Sequence, residues 1–94
     1  MVGEVTAEMN KKERGIVNRR LEAFVAALRA ETEALRSFLE DFRDMEEDKL
    51  DSFPDALLDS PAGLLIEEHI GMLDERIDAI EEIESELESS FTGI

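Results

Sequence analysis

The sequence predicts an all-α fold, an antiparallel two-helix hairpin with coiled-coil-like packing. Two runs of apolar residues predict it, one within residues 21–45 and one within residues 66–91. In each run the apolar positions follow one another at helical spacing, which keeps them on one side of a helix. They are Leu21, Phe24, Leu28, Leu35, Phe38, Phe42 and Met45 in the first run, and Ile66, Ile70, Leu73, Ile77, Ile80, Leu87 and Phe91 in the second.

A single antiparallel register places six apolar pairs opposite one another, with residue numbers that add to 111 or 112 in every pair. Two further layers are imperfect, because Glu31 or Thr32 falls opposite Ile80 and Leu28 falls opposite Ile83 or Glu84. Polar residues in such a seam usually set its register or lie at its wet edge. The predicted pairs are Met45 with Ile66, Phe42 with Ile70, Leu39 with Leu73, Leu35 with Ile77, Phe24 with Leu87 and Leu21 with Phe91.

The first helix is predicted over residues 10–49, after a flexible lead-in at residues 1–9 that contains Gly3 and few apolar anchors. Asn10 followed three residues later by Glu13 is typical of a capping box, which marks a helix start. A start near Thr6 would also fit the pattern. No proline interrupts the segment before Pro54, so a helix of nearly 40 residues is allowed.

Residues 50–60 are predicted to form the linker, because Pro54 disfavours helical geometry at the residue before it. Phe53, Leu57 and Leu58 are too apolar for a free loop, so we expect them to fold back over the end of the hairpin. Ser60 followed by Pro61 is a helix start signal. The second helix is therefore predicted over residues 61–89, with a frayed tail at residues 90–94.

A chain of 94 residues forms one small domain, and a lone hairpin of this size is marginally stable. Additional apolar residues widen the stripe beyond one seam, so we predict that two hairpins dimerise into a four-helix bundle. The alternative is that the same additional apolar residues form an interface with a different protein. The additional residues are Val17, Val25, Ala27, Leu39, Leu64 and Met72.

The charge is strongly negative, since ten Lys and Arg face 25 Asp and Glu, a net −15. The first 20 residues hold five of the ten cations and three of the 25 acids, a net +2, which leaves five against 22, or −17, for the rest. This balance disfavours direct binding to nucleic acid or to anionic membranes. It predicts a protein partner with a basic surface, with solubility or adaptation to high salt as alternative explanations.

Two charged surfaces are candidate binding sites. Five basic residues lie at the start of the first helix, where the helix dipole favours anions. We therefore expect this basic patch to pair with the acidic tail of the second helix or with a partner. The candidate acidic surface consists of Asp41, Asp44, Glu47, Asp48, Glu75, Asp78, Glu82 and Glu86. The candidate basic patch consists of Lys11, Lys12, Arg14, Arg19 and Arg20.

No catalytic residue, cofactor site or metal site is predicted. The chain has no cysteine, and the helical neighbours of its only histidine, His69, are apolar, so no second ligand lies within reach. The linker acids Asp48, Asp51, Asp55 and Asp59 lack the spacing and the glycine of a calcium loop. Neither an apolar leader nor a membrane-spanning run is visible, so we expect a cytoplasmic protein.

Residues 50–63, LDSFPDALLDSPAG, and the glutamate-rich segment at residues 66–87 resemble small acidic helical-hairpin proteins of phages and mobile elements. Those proteins share a basic Met-Asn-Lys-Lys start, which residues 9–12 match, and a linker with Pro, Leu, Ser and Gly at fixed spacing. Pro54, Leu57, Ser60 and Gly63 match that linker, whereas Leu58 replaces its glutamine and Pro61 its usual acid. The resemblance implies a helical hairpin of uncharacterised function and carries no catalytic residues.

These observations lead us to expect a non-enzymatic, protein-binding accessory factor encoded by a phage or mobile element. It would occlude a basic surface of a host protein, as an anti-CRISPR or other anti-defence inhibitor or as a nucleic-acid mimic does. The alternative is a structural or assembly subunit of a larger helical complex.

Overall fold

The computed structural model describes residues 8–94, which form two long helices packed against each other as an antiparallel hairpin. Helix α1 spans Lys11–Asp51 and helix α2 spans Pro61–Ser90, with a short 3₁₀ turn at Asp55–Leu57 between them. The described residues contain no strand. The predicted all-α hairpin is therefore confirmed, while most of the predicted lead-in, residues 1–7, lies outside the described part.

Helix α1 begins at a capping box. The Asn10 side-chain oxygen accepts a hydrogen bond from the Glu13 amide at 2.8 Å, and the Glu13 carboxylate accepts one from the Asn10 amide at 3.0 Å. These contacts satisfy two amides that a helix start otherwise leaves unpaired. The helix ends at Asp51, two residues beyond the predicted 49, where the Ser52 amide still donates to the Asp48 carbonyl and Pro54 prevents further turns.

Helix α2 begins at Ser60 and Pro61, as the sequence signal indicates. The Ser60 hydroxyl accepts a hydrogen bond from the Gly63 amide at 3.3 Å and donates one to the Leu57 carbonyl. A Cβ atom added at Gly63 would lie 2.9 Å from the Leu57 carbonyl oxygen and closer still to that of Leu58. The linker backbone is thus packed directly onto the first turn of α2, and only glycine leaves room for it.

The seam between the helices follows steps of three and four residues, which is the pattern of a coiled coil. Three of its large apolar side chains are buried, Ile77, Ile80 and Leu87, with 4%, 6% and 2% of their surface exposed. Thr32, rather than Glu31, fills the imperfect layer of α1, and its hydroxyl donates to the Arg29 carbonyl at 3.0 Å. On α1 the residues least exposed to solvent along the seam are Leu21, Val25, Leu28, Thr32, Arg36, Leu39, Arg43, Glu46 and Leu50.

The buried side of α1 differs from the stripe that the sequence predicts. Five of the seven predicted seam residues of α1 are exposed, because the side of the helix that faces α2 is rotated toward Arg36 and Arg43. Arginine can enter a seam in this way because its aliphatic stem packs against apolar neighbours while its guanidinium reaches an acid at the rim. The five exposed residues are Phe24, Leu35, Phe38, Phe42 and Met45.

Contacts near the free end of the hairpin fix the relative position of the helices. The Asn18 side chain accepts a hydrogen bond from the Ile94 amide at 2.8 Å, a pair whose numbers add to 112 as in the predicted register. The ring of Phe24 lies 5.2 Å from that of Phe91, one helical turn beyond the predicted Leu87. The molecule is elongated, with principal extents of 80 × 19 × 13 Å, so it is one helix layer thick.

Candidate functional site

One edge of the seam is closed by ion pairs between the helices. Three arginines on α1 are spaced seven residues apart, and each reaches an acid on α2. We call this the paired edge. Its ion pairs are Arg29 with Glu88 at 3.5 Å, Arg36 with Glu84 at 3.0 Å and Arg43 with Asp74 at 3.2 Å.

The two inner arginines of the paired edge are held firmly in the charged form. The hydrogen bond to the Glu84 carboxylate is the main cause that raises the pKa of Arg36, with a smaller contribution from Glu40. The hydrogen bond to Asp74 is the main cause that raises the pKa of Arg43. Each guanidinium therefore carries its charge throughout the neutral range, and its hydrogen bond to an acid of α2 orients α2 on α1.

The opposite edge of the seam is apolar and open to solvent. On α1 it carries the five exposed residues Phe24, Leu35, Phe38, Phe42 and Met45, of which Phe38 keeps 57% of its surface exposed. On α2 helical spacing brings four residues to the same side. We call these nine residues the open edge, and the four on α2 are Leu65, His69, Met72 and Ile83.

A shallow groove of about 380 Å³ lies on the open edge, near the linker. Phe38 and Phe42 form one wall, with ring centroids 4.9 Å apart, and Met72 and His69 form the other. The floor is made by Leu39 and Leu73, a pair that the predicted register places together, and Glu46 stands at one end. This groove can hold apolar side chains of another helix, since it offers few polar groups to orient a small molecule.

The structure divides the candidate acidic surface into two rows. Asp41, Asp44 and Asp48 follow one another at helical spacing on the outward side of α1, with Glu47 beside them. The row on α2, which contains Glu75, Asp78, Glu82 and Glu86, points outward on the opposite side of the hairpin. All eight side chains are exposed. They therefore do not form one patch, but line both narrow sides of the molecule.

Most of these acids have no cation to neutralise them. Asp44 and Glu47 lie within 4.0 Å of Arg43, and Glu75 lies 3.7 Å from Arg76. The other five form no ion pair with a cation among residues 8–94; they are Asp41, Asp48, Asp78, Glu82 and Glu86. Both rows thus present negative charge to solvent.

The candidate basic patch does not pair with the tail of α2. Because Asn18 lies opposite Ile94 and α2 ends at Ser90, α2 does not reach residues 11–17 of α1. We call residues 11–17 the overhang. None of the five cations of the patch forms an ion pair with a carboxylate among residues 8–94, although the Arg14 guanidinium donates to the Met9 carbonyl at 3.2 Å. Of the two alternatives that the sequence leaves open, ion pairing with α2 is not seen among residues 8–94, and pairing with a partner stays a prediction.

Within the described residues, no three acidic or histidine side chains come close enough together to hold a metal ion. His69 lies in the apolar groove beside Met72 and Leu73. Neither α1 nor α2 has a stretch apolar enough to cross a membrane.

The spacing of three arginines in the sequence indicates which edge of the seam on α1 forms ion pairs and which stays open. The pattern of apolar residues does not indicate this. Arg29, Arg36 and Arg43 recur at a heptad interval, the repeat expected of residues that flank a coiled-coil seam. They indicate which side of α1 meets the acids of α2. The large apolar residues alone do not indicate it, because they follow the same period on the opposite edge.

Comparisons with protein-family models, with curated proteins and with solved structures find no match to this chain.

Proposed function

We propose that this protein is a non-enzymatic binding factor that occludes a basic cleft of another protein, as a nucleic-acid mimic does. The observation that carries the proposal is the density of negative charge along an elongated hairpin. Residues 21–94 carry a net −17. Spread along the roughly 45 Å between residues 21 and 51 of α1, this is one net charge per about 2.7 Å.

That charge density lies between the charge density of single-stranded DNA and that of duplex DNA. One strand carries a charge about every 3.4 Å of its axis, and a duplex carries one about every 1.7 Å. The acidic rows line both narrow sides of a rod 19 × 13 Å in cross-section. A cleft that normally surrounds a nucleic acid with Lys and Arg would meet carboxylates on both of its walls, which supports a cleft rather than a flat surface as the target.

The proposal is tested by comparing a site variant, in which acids of the two rows are neutralised, with a control variant, in which the same number of acids is neutralised elsewhere. The site variant carries Asp41→Asn, Asp44→Asn, Asp78→Asn and Glu82→Gln. The control variant, with the same change in net charge, carries Glu33→Gln, Asp59→Asn, Glu67→Gln and Glu81→Gln. Immobilised protein is exposed to a host lysate at 0.1 M and 0.5 M salt, and the captured proteins are then challenged with duplex DNA.

We expect the native protein and the control to capture a basic, nucleic-acid-binding protein at 0.1 M salt, and the site variant to capture much less. Duplex DNA should displace the captured protein, and 0.5 M salt should release it, because contacts with phosphate-like charge weaken steeply with salt. Capture that resists 0.5 M salt, or that both variants lose equally, would contradict the proposal.

The open edge favours a second candidate, a structural or assembly subunit. Apolar residues exposed along one side of a helix usually meet another chain, and the simplest partner is a second hairpin in a four-helix bundle. Such a dimer is compatible with either function, because the acidic rows point away from the open edge. A discrete assembly larger than a dimer in light scattering would favour the structural role over the occluding one.

We also propose, from the resemblance of its linker, that the protein is one of the small acidic proteins of phages and mobile elements. In that setting a host defence machine that binds nucleic acid, such as a CRISPR effector, is a suitable target. Inhibition of target cleavage by the native protein but not by the site variant is the expected result with such an effector.

A further inference from the structure

The open edge carries eight of the large apolar side chains that are exposed to solvent. Only three large apolar side chains are buried among residues 8–94, whereas fourteen are exposed over more than a third of their surface. From Phe24 to Met45 the open edge is about 32 Å long. Over a hairpin 19 Å wide this gives about 600 Å² per molecule. Covering it in a dimer would bury about 1,200 Å² in total, which reaches the lower limit of specific interfaces.

The α1 part of the open edge is complementary to itself when a second α1 runs antiparallel to it. A two-fold axis at Leu35 places Phe24 opposite Met45 and Leu35 opposite its own copy. It also places Leu28, a seam residue that borders the open edge, opposite Phe42. The residue numbers in these pairs add to 69 or 70. One layer, Glu31 opposite Phe38, is imperfect. A two-fold interface needs this self-complementarity, because the same surface must serve both subunits.

The same axis brings opposite charges together. Residues 11–20 carry five cations. The last residue of α1 in the partner, Asp51, and the linker residues Asp55 and Asp59 that follow it are acidic. At the register set by Leu35, Arg19 falls at the height of Asp51, where α1 of the partner ends, so the overhang runs past the linker of the partner. A parallel arrangement would instead place acidic linker beside acidic linker, which like-charge repulsion opposes.

We infer that a second copy of this chain covers the open edge in a head-to-tail dimer. In it, α1 of one copy lies antiparallel to α1 of the other about Leu35, and each overhang runs past the acidic linker of the other copy. The arrangement deepens the self-association proposed above and does not depend on the basic partner, which would contact the outward acidic rows.

Cysteine cross-linking tests this arrangement directly, since the native chain has no cysteine. A disulfide forms only when two Cα atoms approach within about 7 Å. Leu35→Cys should therefore form a disulfide-linked dimer on its own under mild oxidation. Phe24→Cys and Met45→Cys should cross-link when mixed but not separately. Ser37→Cys, on the exposed outer side of α1, is the matched control and should remain monomeric on a non-reducing gel.

Light scattering of the native protein separates the possible failures. A monomer at all concentrations would overturn both the arrangement and the self-association on which it rests. A dimer in which Phe42→Cys cross-links to His69→Cys on mixing, while Leu35→Cys does not cross-link to itself, would overturn the arrangement alone and indicate parallel hairpins. Neither result would bear on the basic partner, which is tested by the neutralised acidic rows.

Charge reversal supplies a second test that does not depend on oxidation. One variant makes the basic end acidic, and a second variant makes the linker basic. Each should dimerise more weakly than the native protein, with a dissociation constant at least tenfold higher, because both symmetric contacts are lost. Mixing the two should restore dimerisation as a heterodimer, and no recovery on mixing would overturn the arrangement. The substitutions are Lys11→Glu, Arg14→Glu and Arg19→Glu in the first variant, and Asp51→Lys, Asp55→Lys and Asp59→Lys in the second.

Discussion

Gly63 shows how a single residue fixes the angle at which the chain enters α2. Replacing it with alanine should lower the free energy of unfolding by about 1–3 kcal/mol, the usual cost of overpacking, because the new Cβ would collide with the backbone of Leu57 and Leu58. Alanine is favoured over glycine in a helix by only about 1 kcal/mol, which does not offset that collision. Urea denaturation followed by circular dichroism measures the change.

Gly71 provides the matched control for Gly63→Ala. It lies in the middle of the same helix, and nothing within 4 Å would contact an added Cβ. Gly71→Ala should therefore raise the free energy of unfolding by up to about 1 kcal/mol. If Gly63→Ala were also stabilising, the close packing of the linker on α2 would be wrong.

Features that depend on a few neighbouring residues can be predicted from the sequence. The Asn10 and Glu13 pair and the Ser60 and Pro61 pair mark the two helix starts, because capping is a contact within one turn. Thr32 could not be chosen over Glu31 in the same way. Which of two adjacent side chains faces α2 depends on the rotation of the whole helix.

At the scale of the helix, the loss of unfolding free energy on truncating an isoleucine of α2 depends on whether its side chain is buried in the seam. Ile80 is 6% exposed and Ile83, one turn later in α2, is 44% exposed. We expect Ile80→Ala to lower the free energy of unfolding by about 2–4 kcal/mol. Ile83→Ala should cost less than about 1 kcal/mol in the isolated hairpin. Equal losses for the two variants in thermal denaturation at low concentration would contradict the rotation of α2.

The paired edge makes a prediction about pH. A raised pKa in the folded state means that the contribution of Arg36 is fully present below its ordinary pKa and is lost only as pH rises past the folded value, in strong alkali. Arg36→Gln should therefore lower the melting temperature by the same amount at pH 6 and pH 9. A difference that shrinks by pH 9 would show that another group is responsible.

Arg76→Gln is the control for Arg36→Gln. Arg76 lies on α2, and its side chain is 60% exposed beside Glu75 of the same helix, at 3.7 Å. Such an exposed pair contributes little to stability. We expect the melting temperature of this variant to equal that of the native protein at both pH values.

The helices themselves follow from the sequence, but the apolar periodicity alone does not fix their rotation. Periodicity places Phe38 and Phe42 on an apolar side of α1, and that much is correct. Periodicity cannot decide whether all of these apolar residues face α2 or whether some face α2 and the others lie on the open edge. Both arrangements satisfy the same spacing. The decision comes from Arg36 and Arg43, whose acids on α2 are more than 30 residues away in sequence.

For the molecule as a whole, the open edge predicts that stability depends on protein concentration. Association stabilises the folded state by mass action, so the melting temperature should rise as concentration is increased a hundredfold. The double variant Phe38→Ser and Phe42→Ser should abolish this dependence. Leu57→Ser, which removes an exposed apolar side chain from the linker, is the control and should retain it. A native melting temperature that does not change with concentration would contradict self-association.

The sequence predicts a strongly acidic molecule but not the distribution of its acids. Residues 41–48 and residues 75–86 appear in the sequence as two comparable acidic stretches. Only the packing of α1 on α2 decides that they point outward on opposite sides, and that the overhang leaves the basic patch away from the tail of α2. Net charge is a property of composition, whereas a binding surface is a property of the folded arrangement.

The thickness of 13 Å has a consequence for volume. A protein loses its internal voids when it unfolds, and this loss is what allows hydrostatic pressure to denature it. A single layer of two helices has almost no interior in which packing defects could be enclosed. High-pressure infrared spectroscopy should therefore find that this hairpin resists unfolding by pressure, with an unfolding volume change near the small end of the roughly 20–100 mL/mol typical of proteins.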